Sequence, residues 1–142
     1  MSPLVSAEIV AGTLVLLALS ALAFIYIRRR VIASGHHLLI CGWRPEHAPR
    51  YRLGLLRIAG SRLEWFTIAG PSMRPHRCWE RAGLELEAPG SAREVLAGMP
   101  DAVEVSCRHR GERFDLAMAP NSYTAVRSWL ESAPPGYHVN VA

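Results

Sequence analysis

The stretch that most constrains this chain runs from Ile9 to Ile27, nineteen residues without a charge, followed at once by Arg28-Arg29-Arg30. At about 1.5 Å per residue a helix of that length reaches roughly 28 Å, close to the ~30 Å of a bilayer's hydrocarbon layer. Phe24 and Tyr26 fall near one end, where an interfacial aromatic belt is expected. No Lys or Arg precedes the run and three arginines follow it, so the positive-inside rule places the N-terminus outside and the remainder in the cytoplasm. Ala21-Leu22-Ala23 has the form of a signal-peptide cleavage site, but a signal peptide needs a basic leading region, and the charged residue ahead of this run is Glu8. A buried core helix seldom runs this far without a charge. The expectation is a single-pass protein of the cell membrane, with residues 1–8 outside, a span at 9–27, a basic juxtamembrane linker at 28–35 and a cytoplasmic domain at 36–142.

That domain is large enough for one hydrophobic core. All sixteen basic residues of the chain are arginine. Arginine suits phosphate and carboxylate, although GC-rich codon usage explains the same bias. From Arg28 to Arg62 eight arginines face one acid, Glu46, a net of +7; from Leu63 onward eight arginines face ten acids, a net of −2. The basic half therefore adjoins the anchor. Arg28, Arg29, Arg30, Arg50, Arg52, Arg57 and Arg62 are candidates for anionic lipid headgroups. Such contacts bring about 1 kcal/mol per residue near a membrane surface. For Arg28 to Arg30 the topological role is sufficient by itself. Cys41, Cys78 and Cys107 are too few, too widely spaced and odd in number for a disulfide framework.

Beyond the linker the pattern is that of β structure. His37 to Gly42 predicts a first strand, and Trp43 to Pro49, with two prolines, a loop. Arg50 to Ala59 and Arg62 to Ile68 predict a hairpin around Gly60-Ser61. Arg77 to Arg81 predicts a short strand after a loop at Gly70 to Pro75, and Leu84 to Ala88 alternates leucine with glutamate as a half-buried strand does. Pro89 to Asp101 reads as a connection with one helical turn around Ala92 to Leu96. In Val103 to Met118 a two-residue turn at Arg110-Gly111 pairs His109 with Glu112, Cys107 with Phe114, Val105 with Leu116 and Val103 with Met118, which puts every apolar residue on one face. A helix follows, capped by Asn121 or Ser122, with Tyr123, Val126, Trp129 and Leu130 on one side and Pro134-Pro135-Gly136 after it. The expected fold class is α+β: an N-terminal transmembrane helix, an antiparallel barrel of six or seven strands like that of pleckstrin-homology domains, and one C-terminal amphipathic helix.

Several short pieces carry a family resemblance: Trp43-Arg44, Arg50-Tyr51, Leu63-Glu64-Trp65, Arg74-Pro75, Leu116-Ala117-Met118, and Trp129-Leu130-Glu131 followed by Ala133-Pro134-Pro135-Gly136. In these the chain resembles a family of small actinobacterial membrane proteins of unknown function. The resemblance implies an N-terminal anchor with a short cytoplasmic domain, and genes that often lie beside those for ATP synthase. It brings no catalytic residue with it.

Candidate sites are few. His76-Arg77-Cys78 and Cys107-Arg108-His109 bring together zinc-type ligands, but at i, i+2 spacing rather than as C-x-x-C knuckles. The same cysteines lack a nameable third partner for nucleophilic catalysis, and no phosphate-cradling glycine loop is present. No metal, cofactor or enzymatic activity is expected. Arg108 faces Arg113 in the predicted hairpin and Arg110 sits at its tip, a set suited to an anion or an acidic partner. Basic density is moderate and the anchor restricts access, which argues against nucleic acid. The expected function is a binding module that acts as adaptor or accessory subunit of a membrane complex; the alternative is recognition of anionic lipid headgroups.

Overall fold

The apolar run forms one long helix. In the computed structural model, which describes residues 2–93, 96 and 98–132, helix α1 spans Pro3–Ala33. Its hydroxyls are met within the helix: Thr13 Oγ1 donates to the Ile9 carbonyl and Ser20 Oγ to the Leu16 carbonyl, both at 2.8 Å. A lipid-facing span requires that, because hydrocarbon offers no partner. An 18-residue window reaches a mean hydropathy of 2.4, so α1 is long and apolar enough to cross a membrane. The helix continues beyond Ile27. Arg28-Arg29-Arg30 and Val31 to Ala33, expected as linker, are helical, because arginine is a good helix former and no breaker intervenes before Gly35. The chain divides into two compact units, Met1–Ser34 and Gly35–Ala142.

The second unit contains β1 (Leu38–Pro45), β2 (Arg52–Ala59), β3 (Arg62–Thr67), β4 (Arg77–Glu80), β5 (Leu84–Leu86), β6 (Gly90–Ser91), β7 (Val103–His109), β8 (Glu112–Met118) and α2 (Pro120–Glu131). The sheet order is β4-β3-β2-β1-β8-β7-β5, with β6 also paired to β7, and every pairing is antiparallel. β1 is the seam: it pairs with β2 on one side and β8 on the other. The sheet curls until it is nearly closed. Trp79 of β4 stacks on Phe114 of β8, with ring centroids 4.4 Å apart at 11°, and Arg110 Nη2 reaches Glu80 Oε2 at 2.6 Å.

The inner rows supply the core. Cys41, Trp43, Leu56, Leu63, Trp65, Val105, Leu116 and Met118 are buried together, and α2 adds Val126 and Trp129 with Tyr123 and Leu130 at the margin. Burying one such side chain contributes about 1.5–3 kcal/mol. Two indoles fix elements as they fill space: Trp65 Nε1 donates to the Cys41 carbonyl at 3.1 Å, and Trp129 Nε1 to the Gly60 carbonyl at 2.7 Å. A smaller cluster lies outside the barrel, where Leu96, Met99 and Ala102 cover Ala117 beside Tyr51 and Leu53.

The antiparallel barrel and closing helix follow the expectation, and the β7–β8 register is the predicted one pair for pair. Other boundaries moved. Trp43, Arg44 and Pro45, expected in a loop, extend β1, because Trp43 and Pro45 pair with Leu116 and Phe114 of β8; Pro45 sits at the strand end, on the side where β2 no longer pairs. β6, unforeseen, adds Gly90↔Glu104 and Ser91↔Val103 to β7. Of the helical turn expected around Ala92 to Leu96, part lies outside the described residues, and Leu96 bridges to Met99. Helix α2 begins earlier than Asn121 or Ser122: Ala119 is its cap residue and Pro120 opens its first turn, where the missing N–H has no role. Pro134-Pro135-Gly136 lies outside the described residues.

Candidate functional site

Of the arginines proposed for lipid contact, three belong to the first unit and four to the second. Arg28, Arg29 and Arg30 occupy the last turns of α1, with Arg30 Nη1 donating to the Tyr26 hydroxyl at 3.3 Å. Arg50, Arg52 and Arg62 are exposed. Arg57 is committed elsewhere: its Nε donates to Glu64 Oε2 at 2.7 Å, and its guanidinium lies 4.9 Å from the centre of the Phe66 ring. Arg52 and Arg57 are five positions apart on β2, so strand periodicity sends them to opposite faces. Arg62 stands opposite Glu80 in the β3–β4 register.

The β7–β8 hairpin gathers charge more tightly. Its two-residue turn has positive φ at both positions, Arg110 at 48° and Gly111 at 84°, the type I′ geometry that suits strand twist. Glycine takes such a φ freely, whereas Arg110, which ion-pairs with Glu80, is the non-glycine residue in the turn. One step from the turn, Arg108 stands opposite Arg113. Arg108 touches Glu85 at 4.0 Å. Among the described residues Arg113 makes no ion pair or hydrogen bond. The structure thus brings Arg108 and Arg113 together and takes Arg110 away from them.

Beside this pair lies a network that sequence reasoning missed. Arg44 of β1 donates through Nη2 to Asp115 Oδ2 at 2.6 Å and to Glu104 Oε1 at 2.9 Å, and its guanidinium sits 4.5 Å from the centre of the Tyr51 ring. Ser106 Oγ donates to Asp115 Oδ1 at 2.9 Å. The hydrogen bond to Asp115 holds the Arg44 guanidinium even more firmly charged than usual. Burial, with Glu104 close by, pushes the Tyr51 hydroxyl well above its ordinary range. The signal was present in the predicted register, where Ser106 and Asp115 share the polar outer row; the arrival of Arg44 from β1 was not.

The family model described as a protein of unknown function, DUF2550, matches residues 14–136. The chain belongs to this family. The match covers most of α1, the whole barrel and α2. No curated protein and no solved structure matches the chain.

The zinc-type and nucleophilic candidates are separated by burial. Cys41 and Cys107 are buried and Cys78 is exposed. Burial pushes the Cys41 and Cys107 thiols far above the range in which a thiolate forms at neutral pH. His76 packs edge-on against Trp43 and Trp65, at 5.9 and 5.7 Å between centroids. Burial, then the neighbouring Arg110, lowers the pKa of His109. Among the described residues no three His, Cys, Asp or Glu side chains converge on a point where a metal ion would sit.

Proposed function

We propose that this chain is a single-pass protein of the cell membrane, N-terminus outside, whose pleckstrin-homology-like cytoplasmic barrel holds a membrane-protein partner as an adaptor or accessory subunit. The observation that carries this reading is an apolar groove of about 550 Å³ lined by Gly35, His36, His37, Leu38, Leu39, Ile58 and Ala125. Ile40, half-exposed two positions along the outer row from Leu38, extends the apolar surface. Only Ser34 separates α1 from Gly35, the first lining residue, along the chain. The gene neighbourhood implied by the family resemblance, beside ATP synthase in actinobacteria, makes a membrane complex the first class of partner to examine. Binding rather than catalysis is favoured by the burial of two thiols in their protonated form and by the edge-on contacts of His76 with Trp43 and Trp65.

Recognition of anionic lipid is the second reading. The net +7 between Arg28 and Arg62 favours it, while the Arg57–Glu64 ion pair and the opposed faces of Arg52 and Arg57 count against it. The test is a mild-detergent pull-down of the full chain from its native membrane. Ala125 is exposed, so Ala125→Arg fills the groove without entering the core. A stoichiometric partner that is captured by the wild type and lost with this variant, at unchanged melting temperature, is the expected result. Capture of the same partner by both proteins would remove the groove from the account. Absence of any partner, with salt-sensitive binding to anionic vesicles, would transfer the function to lipid.

A further inference from the structure

A cavity of about 200 Å³ opens on the outer surface of the β7–β8 hairpin, and its charged lining is Arg108, Arg113, Glu46, Glu87 and Asp115. Asp115 accepts hydrogen bonds from Arg44 at 2.6 Å, a guanidinium it shares with Glu104, and from Ser106 at 2.9 Å. Beside it stand two guanidiniums and two carboxylates, with Glu85 4.0 Å from Arg108 and His47 4.0 Å from Glu46. The guanidiniums belong to directly opposed residues. A two-residue I′ hairpin closes on a hydrogen-bonded pair, here His109 and Glu112, so Arg108 and Arg113 form the next, non-hydrogen-bonded pair, in which Cα atoms are only about 4.5 Å apart. Like charges so placed repel, and among the described residues Arg113 has no carboxylate of its own. An anion between the two forks would remove that cost. A carboxylate has two oxygens and saturates one fork; a phosphate has enough acceptors for both. A simple anion, however, would also face Glu46 and Glu87 at the rim.

We infer that this cavity binds a zwitterionic phosphorylated amine of the phosphoethanolamine class, with its phosphate between Arg108 and Arg113 and its ammonium toward Glu46 and Glu87. The volume, equal to the liquid share of roughly seven waters, suits a small headgroup. Such a group comes from a phospholipid or from a free phosphorylated amine. The site lies on the hairpin and shares no residue with the apolar groove, so each can fail without the other.

Calorimetric titration of the full chain in neutral detergent tests it, with O-phosphoethanolamine, inorganic phosphate and ethanolamine as probes. O-Phosphoethanolamine is expected to bind at least about tenfold more tightly than either fragment, and Arg113→Ala to weaken it by about tenfold or more. Arg113 is exposed and free of partners among the described residues, so that variant keeps the fold. The double variant Glu46→Gln, Glu87→Gln is expected to weaken O-phosphoethanolamine while strengthening inorganic phosphate, a crossover that general damage would not produce. Ala125→Arg is expected to leave the titration unchanged. No binding, equal binding of phosphate and O-phosphoethanolamine, or indifference to Arg113→Ala would overturn the assignment. The source is read in nanodiscs: phosphatidylethanolamine in a phosphatidylcholine disc suppresses the titration if the ligand is a lipid headgroup, and leaves it intact if the ligand is free in solution.

Discussion

Arg44 ties three strands with one side chain. It leaves β1, reaches Asp115 on β8 and Glu104 on β7, and lies over Tyr51. Asp115 and Glu104 have side chains 19% and 17% exposed, so removal of the cation strands two poorly solvated carboxylates. Arg44→Ala is expected to cost about 2–3 kcal/mol in chemical denaturation, and Arg44→Lys to recover part of the loss, since an ammonium cannot fork. His109 gives the fold a pH dependence. Burial first, then Arg110, lowers its pKa from 6.5, against opposing pulls from Glu80 and Glu112. The unfolded chain therefore takes up the proton first as pH falls. The contribution of neutral His109 is complete above about 6.5 and is lost as pH drops through the lower folded value. Denaturation at pH 7.5 and 5.5 should show a larger loss in the wild type than in His109→Gln; equal losses would assign the effect to another group.

Among the elements, β2 and β3 approach so closely that side-chain size decides the packing. A Cβ on Gly54 would lie 2.4 Å from the Phe66 carbonyl oxygen and 2.4 Å from the Trp65 ring. Gly54→Ala is expected to destabilise the barrel by about 1–3 kcal/mol, visible as a lower melting temperature, whereas Gly90→Ala, with open space around its Cβ position, should be silent. The β7–β8 hairpin was legible in the sequence because alternation on both strands and a two-residue Arg-Gly turn demand the same pairs. α2 was legible from its spacing of Tyr123, Val126, Trp129 and Leu130. The extension of β1 was not, because Pro45 is a loop signal until β8 arrives to pair with it. The Arg44–Asp115 contact joins residues 71 apart and has no local signature. The same holds for the cavity: register placed Arg108 against Arg113, but the β1–β2 connection and the end of β5 bring Glu46 and Glu87. Pairings are encoded nearby, while sites assembled from several connections appear only once the sheet has curled.

For the whole molecule, membrane orientation has a direct probe. Of the three cysteines, Cys78 alone is exposed. A membrane-impermeant maleimide should label Cys78 in inverted vesicles and spare it in intact cells, with Cys78→Ser as the control; labelling in intact cells would reverse the proposed topology. The position of β1 has a further consequence, for the order of events at synthesis. Among the described residues β1 is the first strand made and β8 the last, yet they are neighbours. Loop-closure entropy makes such a long-range pairing slow. The apolar helix, long enough to cross a membrane, leaves the ribosome well before that, while the barrel is still half-made. During that interval the β8-facing edge of β1 has no partner. A nascent chain halted before Glu112 would carry that edge open, a natural substrate for quality-control proteolysis.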